Sequence, residues 1–253
     1  MHWWKKNRRP VIQFGAHSDV GVVRVENQDT FGHFSRRLPT GIEEHLFVVA
    51  DGMGGHARGQ EASQIAVEAI RETYFAGPES SVGAHLKHAF ETANARIFAQ
   101  SQTMQLHDRM GTTCTALALS DDKIQIAHVG DSRAYRITSS GIEQLTHDHT
   151  HVEELRVQGI LTEAEAKNHP HRNALTRAMG IGPELEVDLS SAMHVEAKEW
   201  YLLCSDGLLE VPGKELEKTV RSMPPQQACE TLVEKANERG GRDNVTVIVV
   251  EVA

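Results

Sequence analysis

Phe47-Val48-Val49-Ala50-Asp51-Gly52-Met53-Gly54-Gly55-His56-Ala57-Arg58-Gly59 is an apolar run that ends in one carboxylate and then dissolves into glycines. Four apolar residues before an acid read as a buried strand with Asp51 at its tip. The glycines let the backbone turn sharply and approach a ligand closely, and a helical pattern resumes at Gln60. An isolated Asp-Gly can simply cap the next helix. The same grammar recurs, however, at Val129-Gly130-Asp131, at Leu203-Cys204-Ser205-Asp206-Gly207 and at Asp243-Asn244 before Val245 to Val250. Four acids at the ends of apolar runs point to one shared site.

Working outward, Val11 to Phe14 reads as a strand, followed by a mixed loop, Ser18 to Asp29, that contains Arg24. A strand at His45 to Ala50 leads into the glycine turn. Glu61 to Phe75 places Ala62, Ile65, Ala66, Ala69 and Ile70 at helical spacing, and Gly77-Pro78 ends that helix. A second helix runs from about Val82 to Gln100, with Leu86, Ala89, Phe90, Ala93 and Ile97 on one stripe and His85 and His88 on its solvated face. Short strands follow at Thr113 to Leu119, Lys123 to Val129 and Ala134 to Ile137, joined by tight turns that favour antiparallel pairing. Strands return at Glu186 to Leu189, Trp200 to Cys204 and Val245 to Val250, with a helix over Gln226 to Glu238 stopped by Gly240-Gly241. Helices and antiparallel strands come in blocks, so the fold class is α+β, with β-sheets packed face to face and helices outside.

Residues 145–182 differ: short helical fragments at Val152 to Gln158 and Glu163 to Lys167, several histidines and few apolar runs. They read as a flap on the edge of the core. His147, His149 and His151 alternate there, and His169 and His171 follow. The preferred reading is solvated flap histidines, with a substrate contact by His149 and a zinc site as alternatives.

The chain has 253 residues, 40% hydrophobic and 24% charged, with a formal net charge of −9. That composition fits one large soluble domain, residues 11–253, preceded by a short basic tail, 1–10. The acidic balance argues against nucleic acid as partner. No apolar run approaches the roughly 18 residues of a transmembrane segment, and the head has no signal-peptide core, so a cytoplasmic protein is expected. Cys114, Cys204 and Cys229 read as buried free thiols.

Converging carboxylates repel one another unless cations stand between them. Aspartates with no Cys or His beside them favour Mg²⁺ or Mn²⁺ over Zn²⁺, and the Gly52 carbonyl can complete a shell. Two such ions a few ångströms apart generate a hydroxide nucleophile and clamp a phosphoryl group. Arg24 can then hold the remaining phosphoryl oxygens with its planar fork, although from the loop alone a surface salt bridge is the favoured reading.

Seven segments carry a family resemblance: Arg24 to Asp29, Val49 to His56, Met110 to Thr113, Val129 to Tyr135, Leu145 to His149, Cys204 to Leu208 and Arg242 to Thr246. Together, and in this order, they resemble the metal-dependent protein phosphatase family, also called protein phosphatase 2C, in its bacterial branch. The resemblance covers about residues 11–252. It implies an αββα sandwich of two antiparallel sheets with helices on both outer faces, a dinuclear Mn²⁺ or Mg²⁺ centre at one end, and hydrolysis of phosphoserine and phosphothreonine. By position, Asp51 resembles the bridging carboxylate, Gly52 the carbonyl ligand, and Asp206 and Asp243 the second metal's ligands. Asp131 with Asp206 resembles the pair that holds a weaker third ion. Arg24 matches the phosphate-binding arginine and Asp29 the acid that hydrogen-bonds metal-bound water. Gln28 replaces the Glu of many members and supplies no charge to that water shell. Met53 stands where animal enzymes carry a His, and Met cannot donate a proton to the leaving alkoxide.

The implied substrates are phosphoproteins made by a bacterial-type Ser/Thr kinase, met by a monomer in signalling. A catalytically weak phosphoprotein-binding regulator and a metallohydrolase of small phosphate esters are the competing functions.

Overall fold

The computed structural model describes residues 11–54, 58–76, 81–103 and 109–253. The basic tail, Gly55-His56-Ala57 of the glycine turn and the expected Gly77-Pro78 stop lie outside the described residues.

Two antiparallel sheets face each other. The first runs β1-β12-β11-β7-β8, from β1 (Ile12–Asp19), β7 (Arg133–Thr138), β8 (Gly141–Gln144), β11 (Glu199–Cys204) and β12 (Val245–Val252). The second runs β10-β6-β5-β3-β2, from β2 (Asp29–Arg37), β3 (Glu43–Met53), β5 (Cys114–Ser120), β6 (Lys123–Val129) and β10 (Met193–His194). Two short strands join it, β4 (Gly111–Thr112) on β3 and β9 (Asp188–Leu189) on β6.

The apolar runs are continuous because each central strand is buried on both faces. Along β3, Phe47 and Val49 point into the inter-sheet core with Leu117, Tyr201, Ile248 and Val250. Leu46, Val48 and Ala50 point the other way, against α1 (Arg58–Ala76) and α2 (Val82–Gln102). On the far side, Leu202, Cys204, Val247 and Val249 meet α5 (Gly213–Ser222) and α6 (Pro225–Glu238). The order is therefore helices, sheet, sheet, helices. Truncating a fully buried anchor such as Phe47 to Ala removes its contacts at a cost of about 3–5 kcal/mol. All three cysteines are buried and unpaired.

Several elements differ from expectation. β1 continues to Asp19, because each of its residues finds a partner on β12. β2 was not foreseen: its sequence, Asp-Thr-Phe-Gly-His-Phe-Ser-Arg-Arg, is polar because it is an edge strand that pairs only with β3. α5 was missed for lack of apolar residues, since Leu216 and Val220 alone make its inward stripe. The strand expected over Glu186 to Leu189 shrinks to Asp188–Leu189. His85 is not solvated. α2 packs against α1 as well as β5 and β6, so its buried stripe widens to take in His85, whose ring stands edge-on to Tyr74 at 5.9 Å.

Between β8 and β9 the chain makes an excursion with two short helices, α3 (His151–Val157) and α4 (Glu163–Lys167). Thr150 caps α3, and a Thr162–Glu165 capping box starts α4. The excursion is tied down by bridges between Thr150 and Leu175 and between Thr112 and Met179.

Candidate metal centre

Antiparallel order decides where the acids go. β3, β6 and β11 end, and β2 and β12 begin, at the same end of the sandwich. Asp51 lies in β3, and Asp29 opens β2 directly opposite it in register. Asp131 follows β6, Asp206 starts a 3-10 turn after β11, and Asp243 precedes β12. Asp51, Asp131, Asp206 and Asp243 line one cleft of about 1010 Å³, together with Arg24, Gln28, Gly52 and Met53.

β3 does not stop at Ala50 but pairs through Met53, with Gly52 opposite Thr112 and Met53 opposite Gly111. The backbone of Asp51 is consequently saturated. Its N–H donates to Thr113 Oγ1 (3.1 Å), and its carbonyl accepts from Thr112 Oγ1 and the Thr113 N–H, both at 2.9 Å. That leaves the carboxylate free to serve the cleft. The Gly52 N–H donates to the Gln28 carbonyl at 3.1 Å. Glycine is required at 52 and again at 59. A Cβ on Gly52 would lie 2.0 Å from the Gly59 carbonyl oxygen, and one on Gly59 would lie 2.7 Å from both the Gly52 carbonyl oxygen and Gln28 Oε1.

Asp29 is aimed by hydroxyls. Ser205 Oγ and Thr246 Oγ1 both donate to its Oδ2 at 2.7 Å. Since Thr246 spends its only hydroxyl proton there, Ser18 Oγ, 2.7 Å away, must donate to Thr246, and Asn27 Nδ2 donates to Ser18 in turn at 2.9 Å. The other oxygen, Asp29 Oδ1, is buried with no hydrogen-bond partner, as is Asp206 Oδ1.

The electrostatics match. Burial, then the charges of Asp29, Asp206, Asp131 and Asp243, hold the Asp51 carboxyl well above its ordinary range. Burial, then Asp131, Asp243 and Asp29, push Asp206 up to about 8. Burial raises Asp131 to about 6, with Asp148 adding to it. Burial also raises Asp29 to about 6, against the Ser205 and Thr246 hydrogen bonds that favour its charged form. A group of acids that resist ionising together fits cations between them. Among the described residues no three His, Cys, Asp or Glu side chains are arranged to hold an ion by themselves. Hard, hydrated ions such as Mg²⁺ and Mn²⁺ do not need one, because they take carbonyls and water as well.

The Arg24 loop is pinned to the site by Asn244. Its Nδ2 donates to the carbonyls of Val20 (2.9 Å) and Glu26 (3.0 Å), and its Oδ1 accepts from the Gln28 N–H at 2.9 Å. Arg24 lines the cleft and also makes a salt bridge, Nη2 to Asp243 Oδ2 at 2.7 Å.

His149 is corrected. It is 3% exposed, its Nδ1 accepts from the Gly130 N–H (3.0 Å), and its Nε2 faces Asp188 at 3.2 Å. With both ring nitrogens engaged it neither contacts substrate nor joins a zinc site, and His151 turns away as the first residue of α3. Ser205, Thr246, Thr113 and Asn244 are site residues that sequence reasoning passed over. They stand inside the quoted motifs, but nothing in their spacing says which carboxylate or loop they would hold.

Comparison with known proteins agrees with this geometry. The profile of the family described as protein phosphatase 2C matches residues 24–225. The serine/threonine phosphatase stp of Listeria monocytogenes is 35% identical over 240 residues, 92% of this chain and 93% of that protein. Protein phosphatase PhpP of Streptococcus pneumoniae is 36% identical over 244 residues, 94% and 97% of the two chains. Among solved structures, the catalytic domain of the serine/threonine protein phosphatase PstP in complex with two manganese ions superposes with a TM-score of 0.84 at 33% identity, covering 96% of this chain and 99% of that one. Five acids gathered at one end of an αββα sandwich, and a profile match across most of its length, place this chain in the protein phosphatase 2C family.

Proposed function

We propose that the chain is a metal-dependent protein serine/threonine phosphatase, hydrolysing phosphoserine and phosphothreonine in other proteins. The observation that carries this is the convergence of Asp51, Asp131, Asp206 and Asp243 on one cleft, with Asp29 buried beside Asp51 and two orphaned carboxylate oxygens among them. Asp51, the Gly52 carbonyl, Asp206 and Asp243 would hold two ions, and Asp131 with Asp206 a weaker third. When bound, Mn²⁺ or Mg²⁺ neutralises the acids, polarises the phosphoryl group and makes hydroxide available at neutral pH.

The chain's own residues do the rest. Asp29, locked by Ser205 and Thr246, orients water through its Oδ1, and Gln28 assists beside it. Arg24 offers its remaining guanidinium nitrogens to the phosphoryl oxygens while it shares Asp243 with the cation. Met53 lines the cleft without a proton to give, so the alkoxide takes its proton from water.

The complete set of acids speaks against a catalytically weak regulator. Residues 11–253 act as one catalytic domain with 145–182 as its flap, and a cleft complete within one chain supports a monomer acting on the products of a bacterial-type Ser/Thr kinase. No described helix is long and apolar enough to cross a membrane, which supports a cytoplasmic location.

The test is manganese-dependent phosphate release from a phosphothreonine peptide, with Mn²⁺ binding followed in parallel by calorimetry. Chelator and Asp51→Asn should each abolish release, and Asp51→Asn should also abolish the calorimetric signal of the tighter ions. Activity that survives chelation, or that zinc alone restores, sinks the reading.

A further inference from the structure

The cleft wall formed by residues 173–187 carries one guanidinium, that of Arg177. It is anchored from behind: Nη1 donates to Asp188 Oδ1 at 2.7 Å, and the exposed Glu186 lies farther off at 3.9 Å. The second oxygen of Asp188 is taken by His149. Because His149 Nδ1 accepts the Gly130 N–H, its ring proton is on Nε2 and is donated to Asp188. The His149 backbone is engaged as well. Its N–H donates to the Gly130 carbonyl (2.7 Å), and its carbonyl accepts the N–H of Thr176, the residue before Arg177, at 2.8 Å. Gly130, with φ +110°, stands immediately before Asp131, and a Cβ there would meet the Thr113 side chain at 2.5 Å. One buried histidine thus ties the Asp131 turn to the segment that presents Arg177.

We propose that Arg177 binds the polypeptide beside the phosphorylated residue, and that Asp188 and His149 are positioning residues that hold its guanidinium at the cleft wall. The inference rests on the phosphatase reading and deepens it. A cleft of about 1010 Å³ is much larger than a phosphoryl group, so its outer wall faces the protein that carries the phosphate. Arg177 spends only Nη1 on its anchor, and Nη2 and Nε have no partner among the described residues. That half of the fork can donate two parallel hydrogen bonds to main-chain carbonyls. Anchoring removes rotamer freedom that binding would otherwise have to quench. The neutralising Asp188 favours carbonyls over a second phosphate dianion.

The experiment compares kcat/KM for a phosphothreonine peptide with that for p-nitrophenyl phosphate, which has no polypeptide, on the full chain with Mn²⁺. Arg177→Ala should lower the peptide-to-aryl-phosphate ratio about tenfold, through KM rather than kcat. Arg177→Lys should recover only part of the loss, since it keeps the charge but not the fork. Asp188→Ala should lower the ratio by a similar factor, Asp188→Asn by less because an acceptor remains, and the Arg177→Ala/Asp188→Ala pair no further than Arg177→Ala alone. Thermal unfolding of each variant separates these effects from loss of fold. A wild-type ratio in Arg177→Ala overturns the binding role. A wild-type ratio in Asp188→Ala, or losses that multiply in the double variant, overturn the positioning role. A wild-type protein that hydrolyses neither substrate overturns the phosphatase reading and this inference together.

Discussion

Substituting Gly59 by Ala tests the metal centre without touching a charge. Gly59 lies in the first turn of α1, with a backbone any residue can adopt, and in open surroundings Ala would favour the helix by about 1 kcal/mol. Here the new methyl would lie 2.7 Å from the Gly52 carbonyl oxygen, whereas ordinary contact begins at 3.4 Å. Because α1 is held by its fully buried Ala62, Ala66 and Ile70, the carbonyl must yield by about 0.7 Å, a strain of about 1–3 kcal/mol for an overpacked contact. Coordination tolerates only about 0.2 Å of error. The Gly52 carbonyl would therefore be lost as a ligand, and Mn²⁺ affinity should fall roughly 10–100-fold, the range typical of a disturbed metal shell. Calorimetric Mn²⁺ titration reads the affinity, and urea unfolding in chelator reads the fold separately. Peptide hydrolysis should recover at high Mn²⁺. Wild-type affinity in Gly59→Ala would refute the assignment of the Gly52 carbonyl as a ligand.

Three further outcomes are expected. Arg24→Ala should raise KM for phosphopeptide about tenfold or more while Mn²⁺ binds at least as tightly, because the ion no longer shares Asp243; calorimetry with steady-state kinetics checks both. Thr246→Val should weaken Mn²⁺-dependent turnover and destabilise the fold by about 1–3 kcal/mol, since one hydroxyl anchor of Asp29 is lost, and Thr246→Ser should restore both. In chelator, stability should fall as pH rises. Asp29, Asp131 and Asp206 bind protons more tightly folded, at about 6, 6 and 8, than their ordinary 3.8. Their contribution is whole below pH 4 and is lost as pH climbs to about 8, at most about 3 kcal/mol each for Asp29 and Asp131. Urea unfolding at pH 5 and pH 8 measures the fall, which saturating Mn²⁺ should offset.

Much of this was legible in the chain. The runs around Val48, Leu117 and Ile248 announced strands because they are apolar on both faces, and the stripes of α1, α2 and α6 announced helices by their spacing. What misled was context. β2 is polar because it borders the sheet, α5 has only two inward apolar residues, and His85 sits on a helix face that a neighbouring helix covers.

The sequence by itself determined which residues could form the centre: an acid at the end of each of four apolar runs, and glycines where no Cβ fits. These are local properties, set by side-chain chemistry and backbone freedom. Only the tertiary structure decided that β2 places Asp29 opposite Asp51, that Ser205 and Thr246 aim it, and that His149 is a buried post behind Arg177 rather than a ligand. Such pairings join residues as much as 217 apart in the chain, and no local pattern encodes them. They arise when two sheets close on each other and bring strand ends from the whole chain to one face.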